Sequence, residues 1–368
     1  MDLLRRSIEL IERSQDRAGS YPASPTFRVY RYCWIRDGAF VAEAMGAAGH
    51  HDSAAAFHRW VTQVVLRYRD RVEALDAEVP EHLDDTRILH PRFTASGDEV
   101  TEPWSNFQLD GYGFWLTSVA RHVGTGGTDP ADLAPAVSLV ARYLTLLWDR
   151  PCADCWEEHP DRRHPTTVAA VAAGLRHAAL LLNDPEPAAT ADRARQWIIE
   201  HGTASGPGGP SLAKFQGSPD VDGSALLVLG PYGQLGPEDP VATGTLARVE
   251  AQLVRDGGVH RYLDDAFYGG GLWVPLAGAL ALVRVRMGDP AGAGEALAWI
   301  ERAAEGPENL PEQVPSHLRH PQELSRWEEV WGPSASPLLW SHAMYVLARR
   351  AMDAAGADAG DAGHTRSG

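Results

Sequence analysis

Lysine is almost missing. A single one, Lys214, stands in a chain of 368 residues that carries 49 Asp and Glu, 33 Lys and Arg, and a formal charge of −16. A surface with that balance repels phosphate backbones and anionic lipid, and basic patches are absent, so nucleic acid and an acidic membrane surface are excluded as partners. Cysteine is as scarce, with only Cys33, Cys152 and Cys155. Three thiols do not make a disulfide framework, and a reducing cytoplasm is the expected compartment. Cys152-Ala153-Asp154-Cys155 is a lone C-x-x-C without the second pair that a zinc site needs, so neither metal nor cofactor is expected. No run of about eighteen apolar residues offers a bilayer span. The opening Met1-Asp2-Leu3-Leu4-Arg5-Arg6 runs into an amphipathic helix and lacks the apolar centre of a signal peptide. Alternating strand-type runs are few. The best, Arg87 to Thr94 followed by Ala95-Ser96-Gly97, predicts a small hairpin on a long loop.

What is present is helical period. Apolar residues recur at helical spacing over about 2–18, 38–49, 52–73, 107–123, 131–149, 165–182, 187–202, 222–229, 239–255, 270–287, 291–304 and 336–353, about twelve helices in all. The class is all-α. The even-numbered of these are the more apolar or small-residue-rich, as in Ala39 to Ala48, Thr166 to Ala173 and Gly270 to Leu282, whereas 52–73 and 187–202 are studded with Arg and Asp. Alternating outer and inner helices, paired as six hairpins, predict a closed double-layered toroid occupying 1–353 as one domain. The low-complexity stretch 354–368 is expected to be disordered.

The unusual residues fall in the connections that enter inner helices. Trp34-Ile35-Arg36-Asp37, Trp104 to Gln108, Trp156-Glu157-Glu158 and Arg261 to Asp265 all stand just before such a helix. In a toroid of hairpins these connections open on one face, so aromatic, Arg and carboxylate groups distant in sequence converge at the mouth of the barrel. An isolated Trp-Glu-Glu reads most simply as a solvated acidic pair beside a locally packed ring; its recurrence among similar blocks at one end argues otherwise.

At this point the sequence resembles glycoside hydrolase family 15, the glucoamylase-like inverting exo-α-glucosidases, over roughly residues 20–350. The carriers are Tyr30-Arg31-Tyr32-Cys33-Trp34-Ile35-Arg36-Asp37, Trp104 through Gln108-Leu109-Asp110-Gly111, Trp156-Glu157-Glu158, Arg261-Tyr262 through Asp265 to Gly271-Leu272-Trp273, Glu312-Gln313, and Leu339 to Ala343, in the family's order. The resemblance implies an (α/α)6 barrel, Glu157 as general acid and Glu312 as general base. Inversion needs one carboxyl to protonate the leaving oxygen and another, roughly 6.5–9.5 Å away, to activate water on the opposite face of the sugar.

Desolvation by Trp156 and repulsion from Glu158 are expected to hold Glu157 protonated, with Glu158 ionised and binding sugar hydroxyls. The resemblance further implies that Tyr30 helps hold the water and that Arg36 and Asp37 grip the 4- and 6-hydroxyls of the terminal glucose. Arg261 binds the same ring, and Trp34, Trp104, Trp156 and Trp340 complete the substrate pocket, although core packing of Trp104 or Trp340 is the plainer alternative. Asp265 and Trp273 read as scaffold. The expected ligand is a short α-glucoside, first an α-1,6-linked one such as isomaltose, because the Trp-rich segment 317–337 is able to close over the barrel mouth. No starch-binding module is expected. Trehalase and α-1,4-glucoamylase are the rivals within the family; a phosphorylase or a non-catalytic sugar-binding toroid are those outside it. Oligomeric state is not readable.

Overall fold

A computed structural model describes residues 2–206, 208–230, 235–306 and 309–364. The described residues form fourteen helices: α1 (Asp2–Ser14), α2 (Ile35–Ala47), α3 (His51–Arg67), α4 (Arg69–Ala77), α5 (Asp110–Gly124), α6 (Pro130–Leu147), α7 (Pro165–Leu182), α8 (Pro185–His201), α9 (Ala225–Leu229), α10 (Pro240–Leu253), α11 (Val274–Arg286), α12 (Pro290–Ala303), α13 (Pro321–Trp331) and α14 (Leu339–His364). Their ends obey local chemistry. Asp129, Asp184, Asp239 and Asp289 each cap a helix by accepting a backbone N–H of its first turn, followed at once by a proline whose missing N–H is not needed there.

Packing closes the ring. α2 packs on α5, α5 on α7, α7 on α9, α9 on α11, α11 on α14, and α14 returns to α2. Six outer helices lie against inner ones: α1 on α14, α3 on α2, α6 on α7, α8 on α7, α10 on α9 and α12 on α11, while α4 packs on α6. This is the expected (α/α)6 barrel, with the apolar helices inside. α5 and α7 approach closely through glycine: a Cβ on Gly113 would stand 2.5 Å from the carbonyl oxygen of Ala170, and one on Gly174 would stand 2.6 Å from that of Gly113. Side chains there would force the two inner helices apart.

Several expectations are corrected. The helix expected over 52–73 breaks at Tyr68 into α3 and α4. A thirteenth apolar pattern was not anticipated: α13 buries none of its residues, so its period reports no core. Among the described residues α7 is the one helix long and apolar enough to cross a membrane, but 67% of that stretch is buried, because it sits in the inner ring. Apart from these, α14 runs on past 353 to His364, in keeping with alanine's helix preference; residues 365–368 lie outside those described.

Strands are short and serve the loops. β1 (Cys33–Trp34) pairs antiparallel with β2 (Arg92–Phe93), and the turn expected around Gly97 is present, its N–H donating to the Thr94 carbonyl at 2.9 Å. β3 (Thr203–Gly206) pairs with β4 (Gly209–Leu212). β5 (Val254–Arg255), β6 (Gly258–Val259), β7 (Leu272–Trp273) and β8 (Gln313–Val314) form one small antiparallel sheet in that order, which ties the approach to α11 to the loop carrying Glu312.

Candidate active site

The loop before α7 is a tight turn built by Asp154. Its carboxylate accepts the backbone N–H groups of Trp156 and Glu158 at 3.0 Å each, and its carbonyl accepts that of Glu157 at 2.9 Å. Closing the turn this way puts Glu157 in the left-handed region, at φ 68°, a strained backbone held by its surroundings. Successive side chains therefore leave in different directions. Trp156 donates its indole N–H to Asp222 at 2.8 Å, and Asp222 is paired with the lone lysine, Lys214, at 3.0 Å. Glu157 accepts from the indole N–H of Trp34 at 2.6 Å and from Gln108 at 3.1 Å, with the Arg36 guanidinium 3.7 Å away. Glu158 accepts from the Tyr262 hydroxyl at 2.5 Å and lies 3.3 Å from Arg261. The expectation that Trp156 and Glu158 act on Glu157 is thus corrected, since each is turned to a partner of its own.

Glu312 enters from the other side of the ring. Its N–H donates to the Ala335 carbonyl at 2.8 Å, its carbonyl accepts from Val274 at 3.1 Å, and the preceding residues are pinned by α14. Ser341 donates to the Pro311 carbonyl at 2.7 Å, and the Leu310 N–H donates to His342 at 3.1 Å. The carboxylate accepts from the Tyr30 hydroxyl at 3.2 Å and from Ser334 at 3.4 Å. Burial pushes the Glu312 carboxyl up to about 8, against the opposing pull of Arg261, Tyr30 and Ser334.

Between these carboxyls lies a polar floor. Arg36 is 3.6 Å from Asp37 and 3.3 Å from Asp110, and donates to Gln108 at 3.1 Å. Burial lifts Asp37 to about 6, with Arg36 pulling it down. Arg261 is gripped by both oxygens of Asp265, through Nε at 2.9 Å, and faces the rings of Trp156, Phe267 and Trp273 at 5.0–5.4 Å. Asp265 is scaffold in this sense. Trp273 is not scaffold alone, since it also lines the pocket.

All eleven residues singled out in the sequence line one cavity of about 780 Å³: Tyr30, Trp34, Arg36, Asp37, Trp104, Trp156, Glu157, Glu158, Arg261, Glu312 and Trp340. Trp340 is 3% exposed and stacks on Phe40 at 5.4 Å, so it serves core and pocket together. Sequence reasoning missed Phe267 and Tyr268, which also line the cavity, as do Trp327 and Trp331 of the segment expected to close over its mouth. Trp327 packs edge-on to Phe267 at 4.9 Å and stacks on Tyr268 at 6.0 Å, while Trp331 is 42% exposed. Helix α13 thus forms part of the wall, as the Trp-rich composition of 317–337 hinted. The cavity has two carboxyls in unlike surroundings, paired guanidinium and carboxylate groups, and aromatic walls, which suits cleavage of a bond in a sugar. Cys152 and Cys155 are free and buried.

Known proteins share this fold. The model for Glycosyl hydrolases family 15 matches residues 1–273. The isomaltose glucohydrolase of Kribbella flavida is 43% identical, over 94% of this chain and 91% of that protein. Trehalase 1 of Sulfolobus acidocaldarius is 23% identical over 73% of this chain and 48% of its own length. A solved wild-type glycosidase superposes with TM-score 0.90 at 42% identity, covering 95% of this chain and 96% of its own. A bacterial glucoamylase complexed with acarbose shares the fold, with TM-score 0.77 at 23% identity over 96% of this chain and 55% of that one. The chain belongs to glycosyl hydrolases family 15 and is a glycoside hydrolase.

Proposed function

We propose that this enzyme is an inverting exo-α-glucosidase that releases β-glucose from the non-reducing end of short α-glucosides, isomaltose first. The observation that carries the chemistry is the unlike pair of carboxyls in one cavity: Glu157 ringed by hydrogen-bond donors, Glu312 buried and raised. Glu157 gives its proton to the glycosidic oxygen as the bond to C1 breaks. The carboxylate so formed is met by Trp34, Gln108 and Arg36, donors already in place for an anion. Glu312 takes a proton from the water that bonds to C1 from the opposite face, and a raised carboxyl is the stronger base once ionised. Tyr30, bonded to Glu312, orients that water. Arg36 and Asp37 bind the 4- and 6-hydroxyls, Arg261 and Glu158 bind the same ring, and Trp104 and Trp340 flank it. Two carboxyls and water suffice, so the reaction calls for no cofactor.

The substrate reading rests on similarity and enclosure together. The Kribbella relative is named for isomaltose, and α13 brings Trp327 and Trp331 to the cavity wall. A panel of isomaltose, longer isomalto-oligosaccharides, maltose, trehalose and soluble starch tests it. A higher kcat/KM for trehalose or starch than for isomaltose overturns the substrate. The roles of the two glutamates separate on α-glucosyl fluoride, whose leaving group needs no proton: Glu157→Gln is expected to keep far more activity there than on isomaltose, and Glu312→Gln to lose both. The opposite pattern reverses the assignment.

A further inference from the structure

Another charge stands behind the proton donor. Arg92 lies directly opposite Trp34 in the β1–β2 ladder and is 1% exposed. Its guanidinium lies over the ring of Trp104 at 4.1 Å and over those of Trp34 and Tyr32 at 5.5 Å each. One N–H donates to the Glu102 carbonyl at 2.9 Å, and Nε finds no acceptor. Among the described residues it has no carboxylate partner. Glu102, whose backbone it holds, gives its own carboxylate to Tyr32, with Arg31 nearby. Burying a guanidinium without a counter-ion is unfavourable, and three aromatic faces offset that only in part.

The contrast with the other buried arginines is sharp. Arg36 is shared between Asp37 and Asp110, and Arg261 is held by Asp265 and Glu158. Arg92 makes no ion-pair contact among the described residues, and it stands over the indole whose N–H grips Glu157. The other charged and titratable groups that act on Glu157 are Arg36, Asp37 and Tyr30, and those that act on Arg92 are Glu102, Tyr32 and Glu157 itself.

We propose that Arg92 is a positioning residue for the proton donor: held against Trp34 and Trp104, it polarises the Trp34 indole and strengthens its N–H bond to the Glu157 carboxylate that forms as the proton leaves. A cation on an aromatic face draws electron density from the ring and makes its N–H a better donor, an effect that grows where water is excluded. The inference rests on Glu157 being the acid.

The test replaces Arg92 by Met, which keeps an apolar stem and removes the charge, and by Lys, which keeps the charge. Hydrolysis of isomaltose and of α-glucosyl fluoride is compared, with Glu157→Gln run alongside. For Arg92→Met, kcat on isomaltose is expected to fall about three- to tenfold, part of the worth of one charge-assisted hydrogen bond, while the fluoride is hydrolysed within about twofold of the native rate. Arg92→Lys is expected to restore most of the rate lost on isomaltose. A merely structural role predicts equal losses on the two substrates and no rescue by lysine, and either result overturns the proposal. If Arg92→Met does not fold, Arg92→Lys decides in the same assays: a smaller loss confined to isomaltose supports it, and a loss shared by both substrates overturns it. Equal losses for Glu157→Gln on the two substrates sink the acid assignment, and the role of Arg92 with it.

Discussion

The indole N–H of Trp34 donates to Oε1 of Glu157 at 2.6 Å across 123 residues of sequence. That bond joins the first inner hairpin to the third, so the proton donor is positioned by the closure of the ring rather than by its own loop alone. Replacing Trp34 by Phe removes the donor and keeps most of the ring. Loss of a hydrogen bond to a charged group is worth about 1.5–3 kcal/mol, which corresponds to a drop in kcat of roughly 10- to 150-fold, with the thermal midpoint little changed. An unchanged kcat would show that Trp34 only packs.

The raised Glu312 carboxyl has a signature in stability. Its folded value, about 8, lies above the ordinary 4.5, so the folded state binds the proton more tightly. The stability this confers is full below the ordinary value and is lost as pH rises through about 8. Glu312→Gln removes that titration. The thermal midpoint of the variant relative to the native enzyme is therefore expected to rise steadily between about pH 5 and pH 9; a constant difference contradicts it. The base must be ionised to act, so the rising limb of kcat/KM is expected well above the ordinary carboxylate range.

Trp331, half open to solvent on the cavity wall, governs ligand length on this account. Trp331→Ala is expected to raise KM for isomaltose several-fold, about the share of one lost sugar-aromatic contact, and to raise the activity on isomaltotriose relative to isomaltose. A ratio that stays where it was would move the length control elsewhere on the wall.

Gly113 tests the ring itself. Gly113→Ala places a methyl group against the carbonyl of Ala170 and is expected to destabilise the fold by about 1–3 kcal/mol through overpacking. Urea unfolding measures it, and a variant as stable as the native chain would mean that α5 and α7 have room to part.

Much of this was legible in the sequence because burial leaves a period. All twelve expected helices are present, and the poor-in-charge ones, such as 165–182 and 270–287, are the inner ring. Glu157, Arg36 and Arg261 stood out because charged residues beside aromatic ones recur at the mouths of apolar helices; Glu312, with no aromatic neighbour in Pro311-Glu312-Gln313, stood out only through the family resemblance. What was not legible depended on partners rather than on neighbours in sequence. Trp156 and Glu158 adjoin Glu157 along the chain, but a left-handed turn sends them to Asp222 and Tyr262, and the ring beside Glu157 comes from Trp34. Helix α13 left no core period because it buries nothing. Arg92 sat in an apparent hairpin, Arg87 to Thr94, where nothing local told that its strand would pair with Trp34.

Stereochemistry tests the central claim most directly. Proton NMR in the first minutes of isomaltose hydrolysis distinguishes the anomer released from the non-reducing end before mutarotation mixes them. Single displacement by water held at Glu312, with the proton supplied by Glu157, predicts that β-glucose accumulates beyond its equilibrium share. Release of α-glucose from that end would mean a covalent intermediate and two displacements, and would contradict the account.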